Sequence, residues 1–186
     1  FGTDEEGLGN PARIPPTLVG VGAKLRPEWL RKVLFDGATV RPYMHTRMPQ
    51  FGEANLRHLP ALFEKVDRLP KKVELPEPKR DDRRKYREGG HLLVGDKGLN
   101  CIACHNFNGK TSPGLKGIDL LNSFERLQPS WFVHFMKNPQ QYRPGIVMPN
   151  YWPGGEAVRK DVLEGNADEQ VRALWHYFSL GRSARD

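Results

Sequence analysis

Cysteine is almost missing from this sequence, with two in 186 residues. Two thiols cannot staple a small disulfide scaffold, so that class is excluded. No apolar run approaches the roughly 18 residues of a membrane-spanning helix, and nothing reads as a transmembrane segment. No stretch alternates polar and apolar residues well enough to predict a strand. Hydrophobic residues are scarce too, at 38%, below the roughly 45–50% of ordinary domains when glycine is included. The opening Phe1-Gly2-Thr3 carries no basic and apolar leader, so we expect a mature, processed or excised chain. What is present narrows the field further. Nine Phe, four Trp and five Tyr argue against a disordered polycation. Nineteen Gly and 16 Pro point to many loops. A loop-rich basic chain with a modest core often leans on a metal or cofactor.

Two segments resemble each other. Pro16-Thr-Leu-Val-Gly20 answers Pro113-Gly-Leu-Lys-Gly117, and Pro27-Glu-Trp29 answers Pro129-Ser-Trp131. Arg41-Pro42 answers Arg143-Pro144, and Met48-Pro49 answers Met148-Pro149. The offsets are 97, 102, 102 and 100 residues, in conserved order. We read an internal duplication. Between the copies, Pro70, Pro76, Pro78 and a dense mixture of charges read as an exposed linker. The expected units are residues 1–69 and 83–186, joined by 70–82.

The helical signals are short. Pro27 fits the first position of a helix ended by Asp36-Gly37, and Pro129 starts its counterpart, ended by Asn138-Pro139. Leu56, Leu59, Leu62, Phe63 and Val66 recur at helical spacing, interrupted by Pro60. Asp82 suits the cap of a helix through Tyr86, Gly90 and Val94. Asn166, with Glu169 at the capping-box position and Gly181 beyond the end, frames a last helix rich in aromatics. The fold class is all-α with long loops. Loops at 106–127 and 139–160 are long for such a fold, and a large flat apolar cofactor would give them something to pack on.

Cys101-Ile-Ala-Cys104-His105 is C-x-x-C-H, the attachment signature of c-type haem. Two thiols three residues apart reach the two vinyl groups on one porphyrin edge. The next residue, His105, then projects beneath the ring towards the iron. A structural zinc needs four Cys or His ligands, and the other histidines show no matching spacing. A redox C-x-x-C would follow a strand in a βαβ setting, which is lacking. A simple disulfide would leave His105 idle. Met148, in a loop between Pro and Gly turns, is the candidate sixth ligand; the alternative is a loop Met that only packs on the haem face. Met136 and His134 sit within a helix and read as haem-wall or surface residues. Pro113 offers a carbonyl to the second ring nitrogen of His105, and Trp131 and Arg143 are candidates for bonding a haem propionate.

With these residues in place, 83–186 resembles a class I c-type cytochrome domain. The shared pattern is a first helix, C-x-x-C-H, a Pro-x-Leu-x-Gly loop, a helix, a Met-Pro loop and an aromatic-rich last helix. The stretch from Tyr142 through Met148-Pro149 to Trp152-Pro-Gly-Gly155 also looks like cytochrome-type haem-binding modules of planctomycete proteins. The resemblance implies that Gly89 or Gly90 meets Trp175, Tyr177 or Phe178 where the first and last helices cross. It implies haem c bound through Cys101 and Cys104, with His105 and Met148 as axial ligands.

The first unit resembles the part of such a domain that follows the haem motif, with Pro16 at the histidine-supporting place and Met48 at the axial place. It contains no cysteine. Either a second haem motif lies outside the sequence, or this copy is degenerate. The function implied is one-electron transfer, with redox proteins as partners. The alternatives are a di-haem peroxidase-like or gas-binding protein, or a module of a larger dehydrogenase. Covalent haem attachment implies a periplasmic or exported location. Residues 1–88 carry 18 basic and 13 acidic groups, a net of +5, and residues 89–186 carry 11 and 9, a net of +2. That distribution argues against nucleic acid and suggests an acidic partner near the first unit.

Overall fold

The computed structural model describes residues 1–69 and 71–184. Among these the chain is helical, with no strand and four isolated β-bridges. The α-helices are α1 (Asn10–Arg13), α2 (Val21–Lys24), α3 (Pro27–Asp36), α4 (Glu53–Leu56), α5 (Leu59–Val66), α6 (Arg83–Val94), α7 (Asn122–Arg126), α8 (Pro129–Lys137), α9 (Pro139–Tyr142) and α10 (Ala167–Ser179). The expected boundaries hold where local chemistry sets them. Pro27 and Pro129 occupy first turns, where a missing N–H costs nothing. Gly37 closes α3 in the left-handed region at φ 68°. The Asn166 side chain accepts from the Glu169 N–H at 3.1 Å and caps α10. Asp82 precedes α6 but makes no side-chain cap bond.

Two apolar clusters form. The larger joins α6, α8 and α10 through residues such as Leu93, Phe132, Leu174 and Phe178. The smaller centres on Val21, Leu30 and Leu34, with Met48, Leu59 and Phe63 packed on it. The same packing occurs in each half. α5 lies on α2 and α3, and α10 lies on α7 and α8. Helix α6, which packs most extensively on α10, has no counterpart in residues 1–69.

The halves join by a contact between equivalent residues. Leu25 and Leu127 form an antiparallel bridge. The Arg26 N–H donates to the Arg126 carbonyl and the Gln128 N–H to the Lys24 carbonyl, both at 2.9 Å. Pairing of positions 102 residues apart is what a local two-fold axis produces. Arg26 adds side-chain bonds from Nε to the Phe124 and Leu127 carbonyls.

The segment between the halves differs from the exposed linker expected. Its charges face solvent, but Val73 and Leu75 pack on the larger core and Pro78 is buried. The Val73 N–H donates to Ser130 Oγ at 2.8 Å, and His134 Nε2 bonds the Lys71 carbonyl at 2.7 Å. In an extended chain alternate residues share a face, so Val73 and Leu75 turn inward while Lys72 and Glu74 turn out. The segment is a strap along α8.

Candidate functional site

Helix α6 ends at Val94, capped by Gly95, and the chain turns through Asn100, whose φ of 56° is left-handed, into a 3-10 turn at Cys101–Ala103. The His105 N–H bonds the Cys101 carbonyl at 3.0 Å, which closes the C-x-x-C-H turn. Both cysteines are free thiols, Cys101 half-buried and Cys104 exposed. Burial pushes the Cys101 thiol up to about 12, so it is a neutral thiol rather than a thiolate.

Residues 112–117 then return alongside the turn. Ser112 Oγ donates to the Ala103 carbonyl at 2.8 Å, and the Gly117 N–H donates to the Cys104 carbonyl at 2.8 Å. A Cβ at Gly117 would lie 2.6 Å from the Cys104 oxygen and 2.9 Å from His105 Nδ1, so only glycine permits this approach. The return sets the imidazole. His105 Nδ1 bonds the Ile118 carbonyl at 3.0 Å. A carbonyl only accepts, so Nδ1 carries the proton and Nε2 keeps its lone pair. Desolvation holds the His105 pKa below its ordinary value, opposed by the Ile118 bond and by Asp119. The ring is therefore neutral with Nε2 available to a metal.

The acceptor is thus Ile118 and not Pro113. The returning segment runs beside the turn, placing Ser112 and Gly114 against Ala103. Pro113 is consequently short of the ring, and it is exposed. Its counterpart Pro16 is exposed as well.

Half-buried Ile102, Leu121, Phe124, Tyr142, Met148 and Tyr151 pack against the larger core. Met148 is held by its backbone, with Gln140 Nε2 donating to its carbonyl at 3.0 Å. Tyr151 is raised by burial and then by Cys101 and Cys104. Trp131 is 8% exposed, stacks on Phe135 at 4.7 Å and meets Tyr142 edge-on at 5.8 Å. Met136 is buried, and His134 is spent on the strap. In the other half, Met48 lies half-buried on the smaller core, its carbonyl accepting from Gln50 Nε2 at 3.1 Å. His45 pairs with Asp4 at 2.7 Å, and Met44 is buried.

The feature that sequence reasoning missed is a group of cations. Lys24 Nζ sits 4.8 Å from the Trp131 ring centre. Burial, then Arg126, Arg41 and Arg143, lower Lys24 to about 7. Burial and then Arg41 lower Arg126 to about 10. Arg41 is lowered by burial and by Arg143, against the Tyr43 hydroxyl. The available signal was the offset of 102 residues, which pairs Lys24 with Arg126 as it pairs Arg41 with Arg143. Among the described residues, no group of three or more His, Cys, Asp or Glu converges to hold a metal ion. No helix of the described residues is long and apolar enough to cross a membrane. Compared with protein-family models, with curated proteins and with solved structures, the chain matches none.

Proposed function

We propose that this chain is an electron-transfer c-type cytochrome built from tandem cytochrome c-like units. One haem is held by thioethers to Cys101 and Cys104, with His105 and Met148 as axial ligands. The observation that carries this reading is the His105 ring: a neutral imidazole one residue after C-x-x-C, its Nδ1–H tied to Ile118 and its Nε2 lone pair free. That tie fixes tautomer and ring direction, as metal-bound histidines require. Two further observations support it. Cys101 and Cys104 are unpaired on one short turn. Phe124, Tyr142, Met148 and Tyr151 are half-buried apolar side chains packed on the larger core, of the kind that can cover a flat apolar group.

Haem supplies a one-electron iron centre. The chain's residues do the rest. His105 and Met148 would hold the iron between them and leave no site for substrate, and the Met148 thioether would favour the ferrous form. Half-buried Phe124, Tyr142 and Tyr151 would shield the bound group from water. Partners in this reading are other redox proteins that meet the chain through a small transient interface. The location is periplasmic or exported, where covalent haem attachment takes place. Met48 is the axial candidate for a second haem if a separate attachment motif serves the first unit.

The test is production of the full chain in a periplasm competent for haem attachment. Mass and pyridine-haemochrome spectra should report haem joined by two thioethers. Replacing Met148 with Ala should lower the potential and let cyanide bind rapidly. A wild-type ferric form that is high-spin and binds cyanide at once would favour the peroxidase-like or gas-binding alternative.

A further inference from the structure

Four cations meet where the two halves join. Lys24 and Arg126 are the last residues of α2 and α7 and flank the Leu25–Leu127 bridge. Arg41 and Arg143 are the second equivalent pair, coupled electrostatically to the first and to each other. Among the described residues, none of the four forms an ion pair with a carboxylate. Arg126 is 6% exposed, and its Nε has no hydrogen-bond partner. Burying like charges together without a counter-ion is costly. Such a cluster is chemically suited to an anion. The cluster also adjoins the proposed haem cleft. Lys24 lies over Trp131, and Arg143 stands five residues before Met148 in the same loop.

We infer that Lys24, Arg41, Arg126 and Arg143 form one carboxylate-binding site at the junction of the two halves, and that its ligands are the propionates of the haem attached at Cys101 and Cys104. This rests on the function proposed above. Guanidinium groups match carboxylates in two-pronged geometry, and an ammonium adds a compact charge. The Tyr43 hydroxyl, kept protonated by burial, adds a neutral donor beside Arg41. The cysteine-free first half thereby completes the haem site of the second, contributing Lys24 and Arg41. Positive charge at the propionates offsets the electron gained on reduction, so the cluster raises the reduction potential.

The experiment compares potentials of the full haem-bearing chain by spectroscopic redox titration. The variants are Lys24→Gln, Arg41→Gln, Arg126→Gln, the charge-retaining Arg126→Lys, and Arg84→Gln on an exposed face of α6. Each neutral variant in the cluster should shift the reduction equilibrium towards the ferric form several-fold, up to the tenfold equal to about 59 mV for one electron. Arg126→Lys should recover most of that shift, and Arg84→Gln should match wild type. If Arg126→Gln does not fold, the half-exposed Lys24 and Arg41 decide. Cluster variants that track Arg84→Gln, in chains whose spectra still report covalent haem, overturn the inference alone. A chain that carries no covalent haem overturns the proposed function, and the propionate assignment falls with it.

Discussion

Gln170 shows how much one buried side chain can hold. It is fully buried, and both ends of its amide are used. Its Oε1 accepts from Trp152 Nε1 at 3.0 Å, and its Nε2 donates to the Arg159 and Val162 carbonyls at 2.7 Å each. Gln170→Met keeps the volume but orphans two buried groups and one part-buried carbonyl, so we expect a loss of about 3 kcal/mol, read as a lower urea midpoint. His176 gives a pH test. Burial lowers its pKa, Arg83 adds to that and Glu77 opposes it. A depressed folded value means stability is complete above the unfolded pKa of about 6.5 and declines as pH falls below it. Unfolding midpoints measured from pH 7.5 to 5.5 should decline, and His176→Gln should flatten that slope. At this scale the sequence was informative about chemistry and less so about partners. The turn that closes C-x-x-C-H was legible, because the His105 N–H bonds the Cys101 carbonyl within that spacing. The acceptor for His105 was misplaced by five residues, since the return path of 106–118 depends on Gly117 meeting Cys104. Arg126 was invisible because nothing in its neighbours announces burial.

Helix signals were legible wherever a cap, a proline or a glycine supplied local cause, as at Pro27, Gly37, Pro129 and Asn166. The crossing of α6 and α10 was legible as well. A Cβ at Gly90 would fall 2.5 Å from Tyr177 Cβ and 2.6 Å from the Ala173 carbonyl, whereas Gly89 faces Leu163. Trp175 turns instead to Phe124 and Phe132, at 5.0 and 4.9 Å. Gly90→Ala should therefore cost about 1–3 kcal/mol through overpacking, against a much smaller change for an exposed substitution such as Arg87→Ala. Thermal melts of the two variants make the comparison. The strap was misread for a physical reason. Its charges dominate composition, while the inward step of Val73 and Leu75 is a two-residue pattern too short to stand out.

For the molecule as a whole, repeated packing of α5 and α10 on their neighbours follows from repeated sequence, but the way the halves meet does not. Four ordered matches establish two similar pieces and leave their mutual orientation open. That orientation depends on backbone groups of residues 24–26 and 126–128, which every residue type possesses. Charge was legible as a sum and opaque as a pattern. The net of +5 over residues 1–88 says nothing of where Lys24 and Arg41 stand at the junction.

A bridge between a leucine and its own counterpart has one more consequence. It is indifferent to which chain supplies the counterpart. The strap decides the matter by keeping a chain's own first half at high local concentration. Shortening the strap by about six residues would remove the span without altering either face. We expect such a chain to exchange first halves with a neighbour and elute as a dimer on size-exclusion chromatography. By that measure the wild-type molecule is a dimer folded into a single polypeptide.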